Sequence, residues 1–224
     1  MLYGSDKGFA KPALLNDRQG NLMHTGRYWD PGTKQHTSGK GPGGRAYSAL
    51  PLDWDGDGDL DLVVGIDNGN LVLRINEGTA TKPAYATETT EILAGDTQAT
   101  VPGGYAMPVA ADWDGDGRID LLSGNKAGTV YWFRNVGDGE IQLAPPKSIT
   151  RGGDRSDPDP KAPVYRVQID VADFDGDGDL DLLVGDYARH NDQRHGWIWL
   201  YRQTGPQAST TDASAEKQTR SAKD

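Results

Sequence analysis

The chain has 224 residues, a formal charge of −10 and no cysteine. That length holds one domain with a real core or two small ones, and without cysteine no disulfide staples it. No basic stripe or motif supports a nucleic-acid partner, and no apolar run is long enough for a transmembrane helix.

Residues 1–20 lack a basic start and an apolar segment, so no signal peptide is visible. Leu2–Leu14 (LYGSDKGFAKPAL) sets over Leu73–Tyr85 (LRINEGTATKPAY) without a gap, with Lys11-Pro12-Ala13 on Lys82-Pro83-Ala84. The match places the start of the chain inside a repeated unit, at the end of its third strand. The plainer alternative is an unrelated strand and turn. Residues 16–44 are polar and Gly-rich, a connection longer than most. His24, Arg27, Tyr28, Trp29 and His36 lie in it. Aromatics beside Arg and His suit a sugar or a protein partner, against the reading in which Trp29 merely caps a neighbouring sheet.

A strand is expected at Tyr47–Leu52, running into DWDGDGDLD, Asp53–Asp61. LDLVVG, Leu71–Ile75 and Glu88–Leu93 are expected as the next three strands. Tyr105–Ala110 then runs into DWDGDGRID, Asp112–Asp120, followed by IDLLSG, by Thr129–Phe133, and by a fourth strand at Ile141 or Lys147–Thr150. Arg151–Pro163 is an Asp- and Pro-rich insertion that forbids a central strand. Val164–Val171 leads to DFDGDGDLD, Asp173–Asp181, then LDLLVG and a last strand at Trp197–Tyr201. The remainder is poor in apolar residues and reads as a disordered tail. The expected units are therefore 1–45, 46–100, 101–160, a partial unit 161–203, and the tail 204–224.

The three aspartate stretches begin 59 and then 61 positions apart. A period of that length marks repeated supersecondary units. Within one copy, Asp53, Asp55, Asp57 and Asp61 stand at positions 1, 3, 5 and 9. Asp112, Asp114, Asp116 and Asp120 repeat this, as do Asp173, Asp175, Asp177 and Asp181. Hard oxygen ligands at alternating positions converge on a Ca²⁺ ion, and the intervening glycines allow the tight turn. Position 7 is Asp59, Arg118 or Asp179. Since a side-chain ligand would not survive that exchange, position 7 is expected to offer its backbone carbonyl. Without an ion, five carboxylates in nine residues would repel and raise one another's pKa. The loops hold fourteen Asp and one Arg, a charge of −13, so the rest of the chain carries about +3. Position 12 is Val64, Ser123 or Val184, none acidic, and the flanks are strand-like, so this is not an EF-hand. The apolar runs closed by glycine read as buried strands.

The pattern DxDGDGxxDLxxG with a following strand, clearest in DWDGDGRIDLLSGNKAGTVYWFRN, resembles the FG-GAP and VCBS repeats of integrin-α-like β-propellers. The resemblance covers most of residues 1–202. It implies an all-β propeller of about four-stranded antiparallel blades, with a calcium loop joining the first two strands of each blade. Three such loops imply about three Ca²⁺. Three blades are fewer than the usual minimum of about four. The chain is therefore expected to be part of a larger propeller, to close by oligomerising, or to form an open stack, the first being favoured.

The function this implies is a calcium-stabilised binding or scaffold module at an extracellular, cell-surface or periplasmic location, with a glycan or protein ligand. Tyr28, Trp29, Tyr187, His190 and His195 are the candidate recognition residues, because they fall in polar loops where strand packing does not need them. Two rivals stand beside it. One is a polysaccharide-active enzyme of the lyase kind, using a His or Tyr base with a basic residue facing a sugar carboxylate. The other is a purely structural assembly subunit.

Overall fold

The computed structural model describes residues 13–25, 28–30, 32–37, 44–154, 156–157, 161–190 and 193–204, with the side chains of 28–30, 36–37, 188–190 and 193–195 outside that description. The proposed alignment of Leu2–Leu14 falls mostly outside the described residues, as do Arg27 and most of the tail.

Strands β1 (Tyr28–Asp30) and β2 (Gln35–Thr37) form a small hairpin. Blade one follows, with β3 (Ala46–Leu52), β4 (Asp61–Ile66), β5 (Leu71–Arg74) and β6 (Thr90–Glu91) antiparallel in that order. The expected outer strand at Glu88–Leu93 is cut short. Gly95, at φ 61°, turns the chain into a second hairpin of β7 (Leu93–Ala94) and β8 (Thr97–Gln98). Blade two repeats the order with β9 (Met107–Ala111), β10 (Asp120–Gly124), β11 (Val130–Phe133) and β12 (Lys147–Ser148). Blade three has β13 (Gln168–Ala172) and β14 (Asp181–Gly185), then the hairpin β15 (Ala188–His190) and β16 (Gln193–His195), then β17 (Ile198–Tyr201). Its sheet holds three strands in the order β13-β14-β17. Among the described residues there is no helix and no closed sheet. The architecture is an incomplete β-propeller.

Side chains alternate across each sheet, and both faces of the first two blades are used. Val63, Leu73, Leu121 and Phe133 meet between blades one and two. Leu122, Trp132, Leu182 and Val184 meet between blades two and three. Val64, Ile66 and Val72 are buried on the far face of blade one. Main-chain bonds stitch the blades together near the start of each inner strand: Ala106 N–H donates to Ile66 O at 3.2 Å and Val167 N–H to Asn125 O at 3.2 Å.

Gly65, Gly124 and Gly185 occupy the same place near the end of the second strand of each blade. A Cβ on Gly65 would lie 2.2 Å from Ala106 O, and one on Gly124 would lie 2.3 Å from Val167 O. Only glycine lets the next blade's backbone come so close. At Gly185 nothing lies within 4 Å. The loop aromatics tell the same story. Trp54 packs into the first interface and Trp113 into the second, whereas Phe174 is 61% exposed. The outer face of blade three, with Leu183 and Leu200, lines a shallow groove that no blade covers among the described residues.

Gly65→Ala and Gly124→Ala are each expected to lower stability by about 1–3 kcal/mol through overpacking. Gly185→Ala should leave the isolated chain within about 0.5 kcal/mol. Urea denaturation of the three variants makes the comparison, and equal losses would contradict an open third face.

Candidate metal centres

Each aspartate stretch is a loop whose backbone winds around its own first carboxylate. Asp53 accepts hydrogen bonds from Gly56 N–H at 2.9 Å and Gly58 N–H at 3.1 Å. Asp112 accepts from Gly117 at 2.9 Å. Asp173 accepts from Gly176 at 2.7 Å and Gly178 at 3.1 Å. Asp57, Asp116 and Asp177 each accept the N–H of position 7 at 3.0 Å. The two loop glycines sit at positive φ in every copy, from 71° at Gly115 to 97° at Gly178. That left-handed backbone disfavours any residue with a Cβ.

Position 9 does something different. The Asp61, Asp120 and Asp181 side chains are buried, and each clamps two distant pieces of backbone. Asp61 takes Trp54 N–H at 2.9 Å on one oxygen and Asn76 N–H at 2.7 Å on the other. Asp120 takes Trp113 N–H at 3.3 Å, the Trp132 indole N–H at 2.9 Å and Asn135 N–H at 2.7 Å. Asp181 takes Phe174 and Gln203 N–H at 3.0 and 2.9 Å. The clamp ties the loop to the chain leaving the third strand. Asn76 and Asn135 extend it, because their carbonyls hold Gly78 and Ala84, and Gly137 and Gln142, respectively. These asparagines were not among the sequence candidates, although the Asn-x-Gly after the third strand, NEG and NVG, carries the signal.

Carboxylate oxygens of Asp53, Asp55 and Asp61 lie within 4.8 Å of one another. So do those of Asp112, Asp114 and Asp116, and those of Asp173, Asp175 and Asp177. Two ligands each about 2.4 Å from one calcium ion can be at most about 4.8 Å apart, so the spacing fits. Among the described residues, the buried oxygens Asp59 Oδ1, Asp112 Oδ1 and Asp114 Oδ1 have no hydrogen-bond partner. Buried carboxylate oxygens are costly in that state, and a cation is what this donor set suits. Three acidic clusters able to hold metal ions are therefore in place.

The loops are not electrically alike. Burial pushes the Asp59 carboxyl up, and the Asp57 and Asp61 charges push it further. Burial also raises Asp61 and Asp120 in spite of their backbone hydrogen bonds. Asp116 goes the other way. Its burial is outweighed by the Arg118 N–H and by the Arg134 and Arg118 guanidiniums, which hold it below its ordinary value. Arg134 Nε lies 2.6 Å from Asp114 and its Nη2 lies 2.9 Å from Asp116, while Arg118 pairs with Asp116 and donates to Asn135 O at 2.9 Å. Among the described residues loop three has only Arg202, 3.7 Å from Asp175. Mutual repulsion, expected for all three loops, is thus relieved in the middle one by arginines.

Residues 53–123 and 112–184 each match the model of the FG-GAP-like repeat, so the matches together span more than half of the chain. The chain belongs to the FG-GAP-like repeat family. A comparison with curated proteins found no match. Each of the two matched segments begins on the first aspartate of a loop, so the loops are the landmarks of the family's pattern in this chain.

Of the recognition candidates, Tyr28 and Trp29 lie on β1, with Trp29 opposite His36 on β2. His190 and His195 lie on the β15–β16 hairpin, opposite Gln193 and Ala188. Tyr187 is drawn to Tyr165, with ring centroids 6.2 Å apart.

Asp120→Ala is expected to cost roughly 3 kcal/mol or more even in a chelator, because it strands three N–H groups. Urea denaturation in excess EDTA reads this directly. A loss under 1 kcal/mol would remove the clamp from the account.

Proposed function

We propose that this FG-GAP-repeat chain is a calcium-stabilised propeller module for recognition, working outside the cytoplasm, with one Ca²⁺ in each aspartate loop. The observation that carries the reading is the recurrence of three carboxylate clusters at cation spacing, with buried oxygens left unpartnered at Asp112 and Asp114. Asp53, Asp55, Asp57 and Asp61 would hold the first ion, Asp112, Asp114, Asp116 and Asp120 the second, and Asp173, Asp175, Asp177 and Asp181 the third. The carbonyls of Asp59, Arg118 and Asp179 would complete the sets. The bound ion supplies positive charge that cancels the repulsion within a loop. The chain's own residues do the rest: the position-9 clamp fixes the loop against the third strand, and the glycines set its turn. Millimolar extracellular calcium suits short loops of this kind. The ligand is a glycan or a protein, which the module meets with a preformed surface.

A site held at a hundred times its Kd adds about 2.7 kcal/mol to folding stability. Three such sites rival the whole stability of an ordinary domain, about 5–15 kcal/mol. Isothermal titration should count about three Ca²⁺ per chain, and chelation should lower the melting temperature sharply. A count of zero or one overturns the reading.

The middle loop is expected to bind most weakly, since Arg134 and Arg118 compete for its carboxylates. Arg134→Gln should tighten that site severalfold, read by terbium luminescence excited through Trp113. An unchanged or weakened site would show that the arginine does not compete.

A further inference from the structure

The inner strands β3, β9 and β13 run between two ends of the molecule. The aspartate loops follow their last residues. At the opposite end, the residues at and just before their starts bring together Tyr47, Tyr105, Tyr165 and Arg166. The turns after β10 and β14 add Lys126 and Tyr187. Tyr47 and Tyr105 meet edge to face with ring centroids 4.7 Å apart. The Arg166 guanidinium lies 5.1 Å from the centroids of both Tyr105 and Tyr165. Lys126 Nζ lies 5.4 Å from the Tyr105 centroid. A cavity of about 350 Å³ opens beside these residues, lined by Tyr47, Met107, Arg166, Gln168, Asp186 and Tyr187, within the range of small-ligand sites.

Three features separate this cluster from surface decoration. It draws on all three blades, yet none of the interblade core needs it. Its backbone is fixed by main-chain bonds: Tyr105 N–H to Asp67 O at 3.0 Å and Arg166 N–H to Lys126 O at 3.1 Å pass from blade to blade, while Lys126 N–H to Gly104 O at 3.1 Å and Tyr187 N–H to Tyr165 O at 3.0 Å close the ends of blades two and three. Tyr105 and Arg166 also stand at φ 61° and 49°. Left-handed backbone in large side chains costs on the order of 1 kcal/mol or more and gathers at ligand sites. The acid in the cavity wall, Asp186, turns its two oxygens to Val164 N–H and Trp197 N–H, at 3.0 and 2.8 Å. The cluster thus gathers two cations and four phenols at one end of the inner strands.

We infer that this tyrosine–arginine cluster is a binding site for a carboxylate-bearing oligosaccharide. Tyrosine offers a flat apolar face for the C–H side of a sugar ring and a hydroxyl for its O–H groups. The guanidinium fork matches a carboxylate in bidentate geometry, and Lys126 adds a second charge. Preorganised side chains lose little freedom on binding. The inference deepens the recognition role proposed above and rests on it for the class of ligand, but the cluster contains no aspartate-loop residue.

The test is calorimetric titration of the full chain, saturated with calcium, with trigalacturonic acid and with a neutral trisaccharide. The acidic sugar should bind at least tenfold more tightly. Arg166→Gln should weaken it at least tenfold, and Lys126→Gln, at an exposed turn, should weaken it severalfold if the first variant folds poorly. Lys147→Gln, on outer strand β12, should change nothing. Equal affinity for the two sugars, no binding of either at 10 mM, or unchanged binding in the Arg166 and Lys126 variants overturns the inference. So does a preference for tri-glutamate over trigalacturonic acid. The calcium count, measured on the same samples, separates this failure from failure of the calcium reading.

Discussion

Each repeat depends on one buried carboxylate at position 9. Burying a charge is expensive unless hydrogen bonds replace water, and Asp61, Asp120 and Asp181 receive theirs from backbone at both ends of a long excursion. The exchange is incomplete, since burial still raises Asp61 and Asp120. That residual cost is tolerated because the same contact sets three things at once. It fixes the loop's start, the path leaving the third strand, and therefore the separation of the carboxylates at positions 1, 3 and 5.

The repeats also show how one sequence position acquires different physics from its neighbour. Trp54 and Trp113 are wedges because another blade lies against them, while Phe174 stands in solvent. Gly65 and Gly124 are pressed on a carbonyl, and Gly185 meets nothing. The third repeat keeps the residues of an interface on a face that the described residues do not cover. Soluble proteins seldom leave such faces bare. Either further blades or a second copy, with its own inner strand approaching Gly185, would satisfy that face in the way that blades two and three satisfy Gly65 and Gly124.

Much of this was legible in the sequence because the period and the Asp-Gly alternation are local signals. The inner strands, the loops and the short third strands fall within a few residues of their expected places. The outer strands were harder, since β6 and β12 span two residues each and have almost no pattern to read. The loop carboxylates were visible, but the split between position 9 and the others was not. That split depends on N–H groups at Asn76, Asn135 and Gln203, 15 to 22 positions away. Tyr187 was singled out in the sequence by its place in a polar loop. Tyr47, Tyr105, Tyr165 and Arg166 were read as strand beginnings, because only the turning of one blade onto the next gathers them.

With calcium in the loops and an acidic ligand at the tyrosines, the two ends of the inner strands would have to cooperate without touching. Strands of five to seven residues separate them by about 17–23 Å. That exceeds the Debye length of about 8 Å at physiological salt, so an ion in a loop contributes little direct attraction to an acidic ligand at the tyrosines. Its influence would be mechanical. Calcium would fix how each inner strand leaves its loop, and the interblade bonds at Tyr105, Lys126 and Arg166 would convert those directions into the spacing of rings and charges. Such a coupling is reciprocal: a ligand that requires the assembled cluster should also tighten the loops' hold on calcium.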